Sequence, residues 1–321
     1  MISRNYNLDK MNILITGGLG QIGSHIAELL LERGDQVLAI DNLATGRREH
    51  LDDHPNLEVI IDSIANKEVI DKVFSSFKPD VVVHTAASYK DPNDWYSDTL
   101  TNCVGGSNVI KASLENNVKR FIYFQTALCY GVKPMQQPIT LDHPKFPANS
   151  SYAITKTANE DFLEISGLDF VTFRLANVVG PRNVSGPLPI FFQRLKDGKQ
   201  CFITNARRDF VFVKDLAKAV IKAADGIGHG AYHFSSGTDI AISELYEAVV
   251  KAMKLPTYPE PDLREIGPDD AASILLDPSR TFADFGPIEF TPLQETVDSA
   301  IKYFELHGTL GEYTHLKHAT K

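Results

Sequence analysis

Tyr152 and Lys156 stand four residues apart in the stretch SYAITKTAN, a spacing that puts both side chains on one face of a helix. An ammonium beside a phenol favours its charged form, so the pair can act as a general base toward a sugar or alcohol hydroxyl. The lysine can also bond a nicotinamide ribose. Thr126 closes the apolar run RFIYFQT, where its hydroxyl can donate to an oxygen that becomes a carbonyl. Taken singly, Tyr152 also reads as a half-buried helix residue and Thr126 as a plain strand residue. The trio gains meaning only if the chain brings a hydride acceptor to it.

That acceptor is announced by TGGLGQIG, Thr16–Gly23, which follows an apolar run and opens an amphipathic one. Gly17 permits a tight turn, Gly20 lets the backbone approach a diphosphate, and Gly23 allows close packing of helix and sheet. Gln21 and Ile22 lead into the helix whose unpaired N–H groups would meet that diphosphate. Asp41, followed by Asn42, lies 18 residues beyond Gly23, where a carboxylate accepts both ribose hydroxyls of an adenosine and repels a 2′-phosphate. NAD is therefore expected over NADP, with Arg47 and Arg48 keeping the second in play. Asp62 and Ser63 end a third strand, to meet the adenine amine or to cap a loop. Ala86 and Ala87, with Ser88, leave room beside a cofactor. Asn102 reads as a helix N-cap or a buried polar link.

These residues need a scaffold, and the chain alternates strand and helix patterns to supply one. Strands are expected at 12–16, 36–40, 57–61, 80–84, 120–126 and 170–175, with helices at 22–33, 69–77, 102–116 and 151–166. This is α/β grammar: a Rossmann-type, doubly wound parallel sheet covered on both faces. After residue 179 the pattern changes, with GPRNVSGPLP as a loop and helices at 187–196, 242–253 and 293–306. PTYPEPDLREIGPDD reads as a long polar loop. Residues 215–225 and 232–235 return a helix and a strand to the main sheet. The expected domains are 11–179 plus 215–235 for NAD, and a smaller, discontinuous C-terminal unit, 180–214 plus 236–321, for substrate.

Among 321 residues, 43% are apolar, and 32 Lys and Arg against 41 Asp and Glu leave a net charge of −9. An acidic surface argues against a general nucleic-acid binder. The cysteines Cys103, Cys129 and Cys201 show neither pairing nor metal spacing, as in a reducing compartment. The leading residues are too polar for a signal peptide, and no apolar run reaches membrane-spanning length. The reading is of a cytoplasmic protein without a metal or a membrane partner.

The whole set resembles the extended short-chain dehydrogenase/reductase family, and within it the NAD-dependent nucleotide-sugar epimerases and dehydratases of bacterial O-antigen loci. The matching pieces are TGGLGQIG, DNL, HTAA at His84–Ala87, TALCYG at Thr126–Gly131, YAITK, RLANVVGPR at Arg174–Arg182 and RDFVFVKDLA at Arg208–Ala217. The resemblance implies a tightly held NAD, a nucleoside-diphosphate sugar as substrate, and a homodimer formed through the helices at 102–116 and 151–166. It implies that Asn177 contacts the substrate diphosphate, that Arg208 and Arg264 bind phosphate, and that Asp277 lies near the nucleoside. Guanidinium forks suit that diphosphate. Leu188, in LPIFF, would line the base or else belong to the domain core. Lys90, Lys133 and Arg182 could add positive charge near a uronic acid, or be solvated.

Dehydration requires a base for one proton and an acid for the leaving hydroxyl. Ala127, Leu128 and Cys129 follow Thr126 and offer at most a thiol. The expected reaction is therefore 4-epimerisation through a transient 4-keto sugar. A ketoreductase, dehydratase or decarboxylase of the same family is the alternative, with a non-catalytic NAD or sugar-nucleotide binder behind them.

Overall fold

The computed structural model describes residues 10–89, 91–147, 150–267 and 270–310. Lys90 and the leading residues 1–9 lie outside these. Seven parallel strands form the central sheet, in the spatial order Gly230–Phe234, Phe170–Leu175, Arg120–Thr126, Val81–His84, Asn12–Thr16, Gln36–Asp41, Leu57–Ile61. The winding reverses between Asn12–Thr16 and Val81–His84, where Thr16 stands opposite His84. In such sheets ligands bind in the crevice outside the strand ends at this reversal.

Apolar side chains on both faces explain why these strands lie inside. Ile13, Ile15, Val81, Val83, Ile122 and Phe173 pack beneath the helices Gln21–Arg33 and Val213–Ala224. Leu14, Leu38, Val82, Phe121 and Tyr123 pack beneath Lys67–Phe77, Gly106–Glu115 and Ser151–Ser166. Each fully buried side chain of this size contributes about 1.5–3 kcal/mol. A separate core, with Leu188, Phe192, Leu245, Val249, Ile301 and Phe304, joins Pro187–Lys196, Ile242–Met253 and Leu293–His307.

The structure departs from the sequence reading in several places. The helix expected at 102–116 begins earlier, as Trp95–Asp98, and continues through a π-helical stretch, Thr99–Gly105, into Gly106–Glu115. The polar loop contains a short strand, Asp262–Arg264, paired with Phe202–Thr204. An unforeseen helix, Ser279–Phe285, lies within the segment expected in the smaller unit. Its Phe285 packs on Phe173 and Tyr232, so this part of 236–321 covers the large sheet. Seven residues are too few to show a helical period. The same helix closes one edge of the sheet: Arg280 donates to the carbonyls of His229 and Ala231, and Thr281 to that of His233.

The first helix meets the sheet at glycines. A Cβ on Gly23 would come within 2.4 Å of the Gly17 carbonyl oxygen, and one on Gly17, whose φ is +67°, within 2.7 Å of Ala86 N. Gly23→Ala is expected to cost about 1–3 kcal/mol in denaturant unfolding and to lower NAD affinity, because the helix must retreat from the loop.

Candidate active site

A cleft of about 630 Å³ opens along the strand ends. At one end Gly17, Gly20, Gln21 and Ile22 line it. Gly20 caps the first helix without a side-chain hydrogen bond, so the first-turn N–H groups have no side-chain acceptor there. Asp41, Asn42, Asp62 and Ser63 line the same end. The Asp41 carboxylate accepts from the N–H groups of Leu19 at 3.0 Å and Leu43 at 2.8 Å. Burial nevertheless raises its pKa, with those two bonds opposing the rise. Arg47 and Arg48 are engaged elsewhere, on the His307 carbonyl and on Asp53, and neither lines the cleft. An uncapped helix start, glycines where a Cβ would intrude, and a carboxylate at the second strand end fit NAD.

At the other end Thr126, Tyr152 and Lys156 line the cleft together, with Ala86 and Ala87 between the two ends. Asn102 is not on the wall. It is 1% exposed and holds the Ser88 backbone by both N–H and carbonyl, and Thr155 Oγ1 at 3.0 Å. It is a buried polar link that braces the tyrosine helix against the loop beside the cofactor.

A family model, the NAD dependent epimerase/dehydratase family, matches residues 13–233. The chain belongs to that family. It is an NAD-dependent enzyme of the nucleotide-sugar epimerase class. WbmH of Bordetella bronchiseptica, solved in complex with NAD+, is 73% identical, with a TM-score of 0.92 over 93% of this chain and 100% of that one. WbmG of the same organism, solved with NAD and UDP, is 40% identical, with a TM-score of 0.87 over 96% and 99%. The UDP-glucose 4-epimerase of Halalkalibacterium halodurans is 29% identical over 92% of this chain and 96% of that protein.

In this enzyme the electrostatics of Tyr152 and Lys156 differ from the sequence expectation. Burial raises the Tyr152 pKa, helped by Tyr89 and Asp98, and Lys156 does not offset it. Burial also brings Lys156 down to about 7, with Glu160, one turn further on, pulling it back up. The ammonium sits 4.1 Å from the centre of the Tyr123 ring, whose hydroxyl donates to the Lys156 carbonyl. The lysine is thus poised between charged and neutral forms, and the tyrosine rests as a phenol.

Behind Thr126 runs a buried polar chain. The Thr126 N–H donates to Gln125 Oε1 at 2.8 Å, and Gln125 Nε2 donates to Glu160 at 3.1 Å. Glu160 accepts from Arg174, Arg174 donates to the Tyr130 hydroxyl, and that hydroxyl meets His233 Nε2 at 2.6 Å. His233 Nδ1 reaches the Asp277 carbonyl. Burial holds this imidazole at a pKa of about 4, so it is neutral and donates from Nδ1.

The substrate-side expectations fare unevenly. Asn177 lines the cleft and donates to the Asp209 carbonyl. Arg208 is largely buried and bonded to Asp270. Arg264 is exposed, paired with Asp262 and stacked on Phe202, and does not line the cleft. The Asp277 side chain accepts from Ser279 N at 3.0 Å, at the start of Ser279–Phe285. Leu188 is 0% exposed in the small core, while Pro187 and Phe210 line the wall. Arg182 is bound to Ser24 and Glu28, and Lys133 is exposed. Sequence reasoning missed Tyr89, Asp91, Asp94, Asn183 and Phe210 on the wall. The loop signal GPRNVSGPLP marked the segment of Asn183 without marking the residue.

A lysine whose folded pKa lies near 7 against 10.5 in an open chain binds its proton more weakly when folded. Stability then rises with pH through that window, and the full penalty is present below about 7. Lys156→Met, freed of nucleotide, is expected to melt above the native chain at pH 7. The difference should shrink toward zero as the pH approaches 10.5.

Proposed function

We propose that the enzyme is a 4-epimerase of a UDP-hexose or UDP-hexuronic acid, with NAD retained between turnovers, serving O-antigen or related polysaccharide precursor synthesis. The observation that carries this reading is the convergence of Thr126, Tyr152 and Lys156 on one wall of a cleft whose far end fits NAD. The residues after Thr126 add support: Ala127 and Cys129 are buried, and burial pushes the thiol up to about 12, so it supplies neither acid nor base near neutrality. Asp91 and Asp94 also line the wall, but they accept from Asn93 N and Ser97 N in local turns. UDP is favoured by two relatives, WbmG, solved with NAD and UDP, and the UDP-glucose 4-epimerase.

The chemistry follows from the side chains. NAD, when bound, supplies a hydride acceptor and gives the hydride back. Tyr152 takes the proton of the 4-hydroxyl as the carbon is oxidised and returns it on reduction. Tyr152 does this as the tyrosinate, a form that an ammonium on Lys156 favours in principle without offsetting the effect of burial. Thr126 Oγ1 accepts from Leu128 N at 3.2 Å, which leaves its hydroxyl hydrogen to point at the keto oxygen. Rotation of the keto sugar exposes its other face, and the cycle needs no outside oxidant.

Proton NMR of the purified enzyme with UDP-hexoses and UDP-hexuronic acids, without added NAD, should show a second sugar rising to the same ratio from either epimer. Tyr152→Phe should lower the rate by about 10²–10⁴-fold. Conversion that demands stoichiometric NADH would instead mark a 4-ketoreductase.

A homodimer through the two long helices fits their outer faces. Ile154, Phe162 and Ile165 are 50%, 44% and 82% exposed on one side of Ser151–Ser166, and Val104 and Leu114 are exposed on the neighbouring helical run. Sedimentation of the native enzyme should give twice 35.5 kDa, and the double variant Phe162→Glu/Ile165→Glu should give the single mass.

A further inference from the structure

We propose that Asn183 and Gln21 form a latch across the two domains that grips the cofactor diphosphate and slows its release. The inference rests on the retained-NAD reading above and assigns that retention to particular residues. Gln21 is the first residue of Gln21–Arg33, at the uncapped helix start. Asn183 comes from the loop that leads into the substrate domain. Its Nδ2 donates to Gln21 Oε1 at 3.3 Å, and both residues line the cleft beside Gly17, Gly20 and Ile22.

This bond decides which way the Gln21 amide faces. With Oε1 taken by a donor, the Nε2 hydrogens turn the other way, and Nε2 is buried without a partner. Asn183 is 5% exposed, and its Oδ1 is likewise buried and unpaired. A buried polar group left unsatisfied is unfavourable, so two such atoms, in bonded residues that line the cleft, point to a ligand that pairs with them once the loop parts to admit it. A donor amide at a helix N-terminus suits an anionic oxygen, and an acceptor beside it suits a hydroxyl.

The latch is held shut from two sides. Arg182, in the left-handed region at φ +66°, donates to Ser24 Oγ at 3.0 Å and pairs with Glu28, both on the first helix. On the opposite flank His50 Nδ1 meets the Leu19 carbonyl at 2.7 Å, and its Nε2 meets the Tyr303 hydroxyl at 2.8 Å. Tyr303 belongs to Leu293–His307, and Arg47 donates to the His307 carbonyl at the end of that helix. The substrate domain therefore holds the first helix through Arg182 and, by way of His50, the Leu19 carbonyl of the glycine loop through Tyr303. Exchange of the nucleotide requires the loop bearing Asn183 to part from the first helix.

The test is the NAD content of freshly purified enzyme, with the rate at which bound NAD exchanges for labelled NAD. The native chain should carry NAD and exchange it slowly. Asn183→Leu and Arg182→Ala should emerge depleted and exchange about tenfold faster or more, the effect falling on the off-rate. Gln21→Glu keeps the side-chain shape and sets a negative charge against the diphosphate, so it should also be depleted, and it guards against a variant that fails to fold. Melting in saturating NAD checks that each variant is folded. Folded variants that retain and exchange NAD as the native chain does would overturn the latch and leave the epimerase reading intact. A native chain that itself purifies without NAD and exchanges it within seconds would overturn the latch and the retained-cofactor reading together.

Discussion

Everything in this structure depends on how closely the first helix, the first strand and the loop after the fourth strand approach one another. Side chains larger than hydrogen cannot occupy that junction: a Cβ on Gly18 would lie 2.6 Å from the Ala39 methyl, and one on Gly23 would lie 2.8 Å from Thr85 Oγ1. The Thr85 hydroxyl in turn donates to the Thr16 carbonyl at 2.7 Å. The contact fixes the helix start relative to Asp41 on one side and Ala86 on the other. Because parallel strands all end at the same edge, the geometry carries over to Thr126 and the tyrosine helix.

The end of the cleft lined by Tyr152 sets a second condition. Tyr152 and Lys156 are placed where desolvation works against charge on both, and the surroundings of the lysine answer with polar contacts. Tyr123 offers the lysine a ring face, Glu160 offers a carboxylate one turn away, and Glu160 is itself held by Gln125 and Arg174. The polar chain that begins at Thr126 N ends on a backbone carbonyl at the entry to the segment covering the sheet edge. The cleft wall at Thr126 and the edge of the sheet thus share one buried network, in which each member has a partner.

Much of this was legible in the sequence, for identifiable reasons. The strands Asn12–Thr16, Leu57–Ile61, Arg120–Thr126 and Phe170–Leu175 appeared where the apolar runs placed them, because a sheet covered on both faces demands such runs. Glycine spacing and the position of Asp41 are local constraints, and the structure puts both on one wall. Legibility ended where a residue's role depends on distant partners. Asn102 serves the site through Ser88 and Thr155, a relation that no spacing displays. Arg264 carries a charge that suits a diphosphate and Asp277 a carboxylate expected near the nucleoside, yet one lies out on a short strand and the other accepts from the start of a helix that sequence periodicity could not reveal. Leu188 illustrates the same ambiguity for apolar residues, since wall and core demand the same chemistry. Asn183 escaped notice because the neighbour it meets, Gln21, lies 162 residues away in the chain.

The sealed edge of the sheet has a further consequence. Gly230–Phe234 is a terminal strand, and such strands ordinarily present a row of free carbonyls on which another chain can template. Here the carbonyls of His229, Ala231 and His233, on alternate residues, are already claimed by Arg280 and Thr281. Strand addition at this edge would have to displace a guanidinium fork before it gained a single ladder bond. The edge is protected there by two consecutive residues of one short helix.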